Sequence, residues 1–244
     1  MLNQSEILDD LRKVMEFYQE LGFEYLSVKD SDISSLLKKT VREDKVPYSK
    51  SEGVDLDALG RDGKLRKLRE EIGDCSLCRL SQGRKNIVFG EGNPEAELMF
   101  IGEGPGRDED IKARPFVGEA GKVLTSLISK MGFRREDVYI ANIVKCRPPM
   151  NRNPEEDEIG LCLPFLKRQI DIIRPRVIMC LGRIASHALI GTKTPISRLR
   201  GQFYMYNDIP VMPTFHPAYL MRNPKDKWLT WDDAQKVIKK LATN

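Results

Sequence analysis

The residues of this 244-residue chain best suited to metal or proton chemistry are its five cysteines and two histidines. Cys75 and Cys78 have two residues between them, the gap at which neighbouring thiolates grip one centre, and Cys146 and Cys162 follow far along the chain. A zinc ion and a [4Fe–4S] cluster each accept four such thiolates, and spacing alone leaves both open, structural zinc being the commoner. Cys180 lies inside an apolar run and reads as a core residue. An odd cysteine count argues against a disulfide framework. The first residues, MLNQSEILDDLRKVMEF, place acids where a signal peptide carries bases and an apolar stretch, so a cytoplasmic chain is expected.

Four further positions could act on an organic ligand. In the segment Gly102-Glu103-Gly104-Pro105-Gly106, three glycines let backbone N–H groups approach a ligand closely, or form a tight turn. A phosphate loop is excluded, because neither a GK[ST] ending nor GxGxxG spacing is present. Acidic Asp108, Glu109 and Asp110 follow, and then Phe116 stands between Pro115 and Gly118. Its ring either stacks on a flat base or anchors the loop to the core. Asn142 could offer one donor and one acceptor to a pyrimidine edge, or cap a turn. His216, beside Pro217, suits proton or hydrogen-bond chemistry, whereas His187 falls within a helical pattern and reads as packing.

These residues need elements to position them. Apolar runs at 97–102, 138–143, 176–181 and 210–215 read as strands, and helical patterns cover 118–131, 154–173 and 183–190. Continuous apolar strands alternating with amphipathic helices predict an α/β protein with a mostly parallel, four-stranded central sheet covered on both faces. GEGPG, NIVKCRPPMNRNP and TFHPAYLMRNP follow three of those strands, so they are expected to share a crevice at the carboxyl edge. Residues 1–63 read as a helical extension and linker, with amphipathic periodicity at 3–21, a second helical stretch at 31–41 and polar chain from 41 to 63. Residues 64–244 form the expected main domain.

Net charge is +4, but residues 1–63 carry −5 and the remainder +9, a basic body that suits a polyanion. No apolar run reaches the roughly 20 residues that span a bilayer, so no membrane partner is expected.

Taken together, CSLC, GEGPGRDED, RPFVGEAG, NIVKCRPP, the later Cys162 and FHPAYL resemble the family 4 uracil-DNA glycosylases from about residue 65 onward. The resemblance implies the three-layer α/β/α uracil-glycosylase fold and a monofunctional hydrolase of base excision repair. Its substrate would be uracil-containing DNA, single- or double-stranded. It also reverses the metal preference, making Cys75, Cys78, Cys146 and Cys162 ligands of a [4Fe–4S] cluster. By the same resemblance, Phe116 stacks on extruded uracil, Asn142 reads its polar edge and Glu103 with Gly104 lines the pocket. His216 hydrogen-bonds the uracil O2. Tyr219, Leu220 and Met221 would wedge into DNA and Arg222 would contact phosphate. The family lacks the water-orienting aspartate that better-known uracil glycosylases have where Gly104 stands, which leaves Glu103, Glu109 or the DNA phosphates to stabilise the cation. The extension exceeds that of compact members; its helix would pack on the core or dock a partner protein, and a monomer is expected. A glycosylase for another deaminated or mismatched base, and a non-catalytic metal-stabilised DNA-binding module, are the competing readings.

Overall fold

Residues whose side chains are apolar at every position can be strands only where both faces of the sheet are covered. The computed structural model, which describes residues 59–243, shows this arrangement. Helix α1 (Arg61–Ile72) comes first, followed by strand β1 (Glu91–Gly92), β2 (Leu98–Gly102), helix α2 (Arg107–Lys112), α3 (Glu119–Lys130) and β3 (Tyr139–Asn142). The chain continues through α4 (Glu156–Ile173), β4 (Val177–Leu181), α5 (Arg183–Ile190), α6 (Ile196–Leu199), β5 (Tyr204–Tyr206) and β6 (Ile209–Thr214). It ends in α7 (Pro217–Arg222) and α8 (Lys227–Ala242). The segments read as helical at 3–21 and 31–41, and most of the linker, lie outside the described residues; linker residues 61–63 open α1.

The sheet order is β1-β3-β2-β4-β6-β5, with β3, β2, β4 and β6 mutually parallel. Alternate residues of each central strand point to opposite layers. Met99, Ile101, Ile178 and Cys180 join a core with Leu65 and Leu68 of α1 and Leu166 and Ile170 of α4. Leu98, Phe100, Val177 and Met179 face Leu124 and Ile128 of α3 and Val237 and Leu241 of α8. The three layers expected of the chain are therefore present.

The sheet has six strands rather than four. The parallel core agrees with the expectation, and an antiparallel strand is added at each edge. β1 is only two residues long, too short to leave a pattern. β5 pairs with β6 through Asn207 and Asp208, both in the left-handed region (φ 44° and 64°), as a two-residue hairpin requires. Among the described residues no helix is long and apolar enough to cross a membrane.

α3 begins where the chain turns back on itself after Phe116. A Cβ on Gly121 would overlap the Phe116 carbonyl, so only glycine allows the helix to approach that backbone. Gly121→Ala is expected to cost about 1–3 kcal/mol through overpacking. The loss would be read as a lower urea midpoint with an unchanged slope; an unchanged midpoint would contradict the close approach.

Candidate functional site

Parallel strands bring their carboxyl ends to one edge, and here that edge opens into a cleft of about 470 Å³. The loop after β2 delivers Glu103 and Gly104 to it, α2 delivers Glu109, the turn before α3 delivers Phe116, β3 ends on Asn142, and β6 leads to His216. The three side chains expected to handle a base, remote in sequence, thus line one cavity.

Gly102 makes their proximity feasible. It pairs with Asn142 across β2 and β3, and a Cβ there would collide with the Phe116 ring and with Asn142 Oδ1. Phe116 itself is buried, in the left-handed region at φ 52°, a conformation that costs a non-glycine residue on the order of 1–3 kcal/mol. Glu109 holds it there. One carboxylate oxygen accepts the Val117 and Gly118 N–H groups at 2.8 Å each, and the other accepts the Gly106 N–H at 3.1 Å. Glu109, read from the sequence as a catalytic candidate, lines the cleft with both oxygens engaged in bracing two loops. Glu103 is partly buried, and burial raises its pKa while the Arg183 charge opposes the rise.

Asn142 is 1% exposed, and its side-chain oxygen has no hydrogen-bond partner. An orphaned buried oxygen costs roughly 1–3 kcal/mol, so its placement in the wall of the cleft suits a ligand N–H. Its backbone carbonyl is held by Lys145, whose buried ammonium donates at 3.0 Å to that oxygen and at 2.5 Å to Gln169 Oε1. Gln169 in turn donates to the Phe89 carbonyl and to the Tyr139 hydroxyl. Burial pulls the Lys145 pKa down to about 8, with the Cys162 thiol charge opposing the shift.

The His216 ring centroid lies 5.8 Å from that of Phe116, with the planes inclined by 37°. Its Nδ1 accepts the Ala218 N–H at 3.2 Å, which leaves Nε2 as the protonated nitrogen of a neutral ring. Burial, followed by the Arg222 charge, lowers its pKa to about 4, with Glu109 pulling the other way. The site therefore holds a neutral imidazole N–H donor at pH 7.

The four residues expected to meet DNA divide. Arg222 and Tyr219 line the cleft, and Met221 is on the surface. Tyr219, however, stacks on Phe215 at 4.8 Å and donates its hydroxyl to Asp226 at 2.7 Å. Leu220 is only 3% exposed, because α7 is amphipathic and turns this residue with Pro217 toward the protein. Leu220 thus packs inward in this structure, and Tyr219 is tethered.

Cys75, Cys78, Cys146 and Cys162 line one small pocket beside Arg84 and Lys145, while Cys180 is buried in β4 away from them. Arg84 donates to Cys146 Sγ at 3.4 Å and to the Cys75 carbonyl at 2.7 Å, and the Lys145 backbone N–H donates to Cys162 Sγ at 3.3 Å. Burial pushes the Cys146 thiol up to about 11 against the pull of Arg84, and also raises Cys162. Among the described residues, no group of three or more His, Cys, Asp or Glu side chains is already arranged to hold a metal ion.

Sequence reasoning brought the segments that hold Gly102, Lys145, Pro148, Asn151 and Arg152 to the crevice without giving the last four a role of their own, and it missed Gln169. A charge in the apolar stretch NIVKC and a polar residue on the inner face of α4 were the available signals.

The family described as the uracil DNA glycosylase superfamily matches residues 89–241. The chain is 48% identical over 185 residues to the type-4 uracil-DNA glycosylase of Saccharolobus solfataricus, covering 72% of this chain and 86% of that protein. It is 47% identical over 165 residues to the type-4 enzyme of Thermotoga maritima, with 67% and 86% covered. The type-5 uracil-DNA glycosylase of Pyrobaculum aerophilum is 28% identical over 171 residues, with 63% and 74% covered.

The lowered His216 pKa has a definite sign. The unfolded chain, with a histidine pKa near 6.5, binds the proton more tightly than the folded one, so the stability linked to His216 is complete above about 6.5 and is lost as pH falls toward about 4. An NMR titration resolving the two histidines should give His216 a midpoint near 4; a midpoint near 6.5 would contradict the buried neutral ring.

Proposed function

We propose that this chain, which belongs to the uracil-DNA glycosylase superfamily, hydrolyses the N-glycosidic bond of uracil in DNA, releasing uracil and leaving an abasic site for base excision repair. The observation that carries the reading is the shared cleft of Phe116, Asn142 and His216, with the Asn142 amide oxygen left without a partner. A base inside a duplex cannot reach such a cleft, so the nucleotide must be everted. Phe116 then stacks on the pyrimidine, and Asn142 accepts from N3–H and donates to O4. Cytosine presents the opposite donor and acceptor at that edge and leaves the buried amide mispaired.

Breaking the C1′–N1 bond moves electrons onto the base and leaves the sugar with oxocarbenium character. A neutral His216 has no labile second proton at pH 7, so it serves as an Nε2–H hydrogen-bond donor to O2 rather than as a general acid. A donor fixed before the reaction gains strength as charge develops on its acceptor. Glu109 is committed to backbone N–H groups and acts by holding Phe116. Glu103 is the carboxylate left to face the developing cation or the attacking water.

The four clustered thiols suit a [4Fe–4S] centre. Four thiolates are the donor set that such a cluster takes, and here they share one pocket with N–H groups directed at two of them. Cys75 and Cys78 after α1, Cys146 after β3 and Cys162 in α4 would hold the cluster. When bound, it would supply a cross-link among three segments. The chain between Cys146 and Cys162 includes Pro148, Asn151 and Arg152 of the cleft wall, so the cross-link would also brace the site. The chain acts as a cytoplasmic monomer.

Purified protein with its cluster intact should convert a uracil-containing oligonucleotide to an alkali-labile abasic product; no cleavage would refute the activity. His216→Ala should lower the single-turnover rate at least about 100-fold, the size expected for one preorganised donor. A near-normal rate would remove His216 from its role. Cys162→Ser should lose the absorbance near ~400 nm that iron–sulfur centres show and should melt at lower temperature. Unchanged absorbance and melting would exclude Cys162 as a ligand.

A further inference from the structure

We infer that the groove between α3 and α8 docks a short acidic segment of a partner protein, with an apolar side chain of that segment seated in a cavity of about 390 Å³. This cavity is separate from the base cleft. Pro217 and Leu220 of α7 line it, whereas Ala218, Tyr219 and Arg222 of the same helix line the cleft, so α7 is the wall between them. A segment docked in the groove leaves the base cleft open.

The floor is apolar, made by Leu124 and Leu127 of α3, Leu181 at the end of β4, Phe215 after β6 and Trp231 of α8. Trp228 stands one helical turn before Trp231 and is 66% exposed, so the apolar surface continues along α8. An exposed tryptophan beside an apolar cavity is the composition of an interaction surface, where large aromatic side chains supply most of the binding energy. Thr230 also lines the cavity; it is 2% exposed, and its hydroxyl has no hydrogen-bond partner. An unpaired buried hydroxyl is unfavourable, and an N–H or C=O group of an occupant would satisfy it.

Charge identifies the occupant. The lining includes the exposed Lys122, Lys130 and Lys227 and no carboxylate. Lys122 pairs with Glu119, but among the described residues neither Lys130 nor Lys227 has a carboxylate partner, and Lys130 lies over the Trp231 ring at 4.2 Å. A DNA backbone would meet the lysines and leave the leucines of the floor uncovered. An aromatic or branched aliphatic side chain set among aspartates and glutamates matches both the floor and the rim.

The chain's two tryptophans, Trp228 and Trp231, both stand at this site, so intrinsic fluorescence reports on it. Random 12-residue peptides displayed on phage are selected on the holoprotein. The enriched peptides are then synthesised and titrated, with tryptophan emission as the readout, against wild type and two double variants, Lys130→Glu with Lys227→Glu and Lys130→Arg with Lys227→Arg. Enriched peptides should carry an aromatic or branched aliphatic residue among acidic ones and shift the emission, and replacing their acids with lysines should abolish the shift. The glutamate variant should bind them at least 10-fold more weakly and the arginine variant within about threefold of wild type, with uracil excision unchanged in both. No enrichment, enrichment of peptides without acids, or equal affinity in the glutamate variant overturns the docking. A glutamate variant that binds DNA at least 10-fold more weakly also overturns it, because the lysines would then be phosphate contacts.

Discussion

The cleft depends on a side chain that is absent. Gly102 ends β2 directly opposite Asn142 on β3, and the space a Cβ would occupy is taken by the Phe116 ring and the Asn142 amide oxygen. With any larger residue, the Phe116 ring and the Asn142 amide could not lie side by side. Gly182 plays a similar part for the third member. It sits at φ 90° after β4, and a Cβ there would press on His216 at 2.9 Å. Two strand ends without side chains thus give Phe116, Asn142 and His216 room to meet in one cleft.

Each of the three is then held from behind. Glu109 pins the loop of Phe116 through three backbone N–H groups. Lys145 and Gln169 hold the Asn142 carbonyl in a buried polar network that abuts the cysteine pocket. Behind His216, Thr214 at the end of β6 donates to the buried Asp233 of α8, which also binds Arg200. Removing one partner from a buried charged pair of this kind typically costs about 3–5 kcal/mol, so these contacts restrict the strand ends strongly. The side chains that face the ligand are few, and the larger share of the polar groups serves to orient them.

Much of this was legible in the residues. Continuous apolar runs disclosed the four parallel strands, and the rule that ligands bind at their carboxyl ends brought GEGPG, Asn142 and His216 to one crevice. The edge strands were not legible, because β1 is two residues long and β5 carries an exposed methionine between tyrosines. α8, with two tryptophans, two aspartates and several lysines in KWLTWDDAQKVIKKLA, shows its apolar stripe only once Ala234, Val237 and Leu241 are seen to be buried. The inward direction of Leu220 was not legible, because it is set by the helical turn that carries Pro217 and Leu220 on one face. The bracing role of Glu109 was illegible for a different reason. Its partners are backbone N–H groups, which leave no trace in side-chain identity.

The account rests on one everted base being gripped by all three groups, and a crystal structure with free uracil bound to the holoprotein tests that claim most directly. The account predicts a uracil ring lying on Phe116, with its N3–O4 edge on the Asn142 amide and its O2 within hydrogen-bonding distance, about 2.7–3.2 Å, of His216 Nε2. Uracil bound elsewhere, or held in the cleft with the Asn142 amide oxygen still unpartnered, would contradict it.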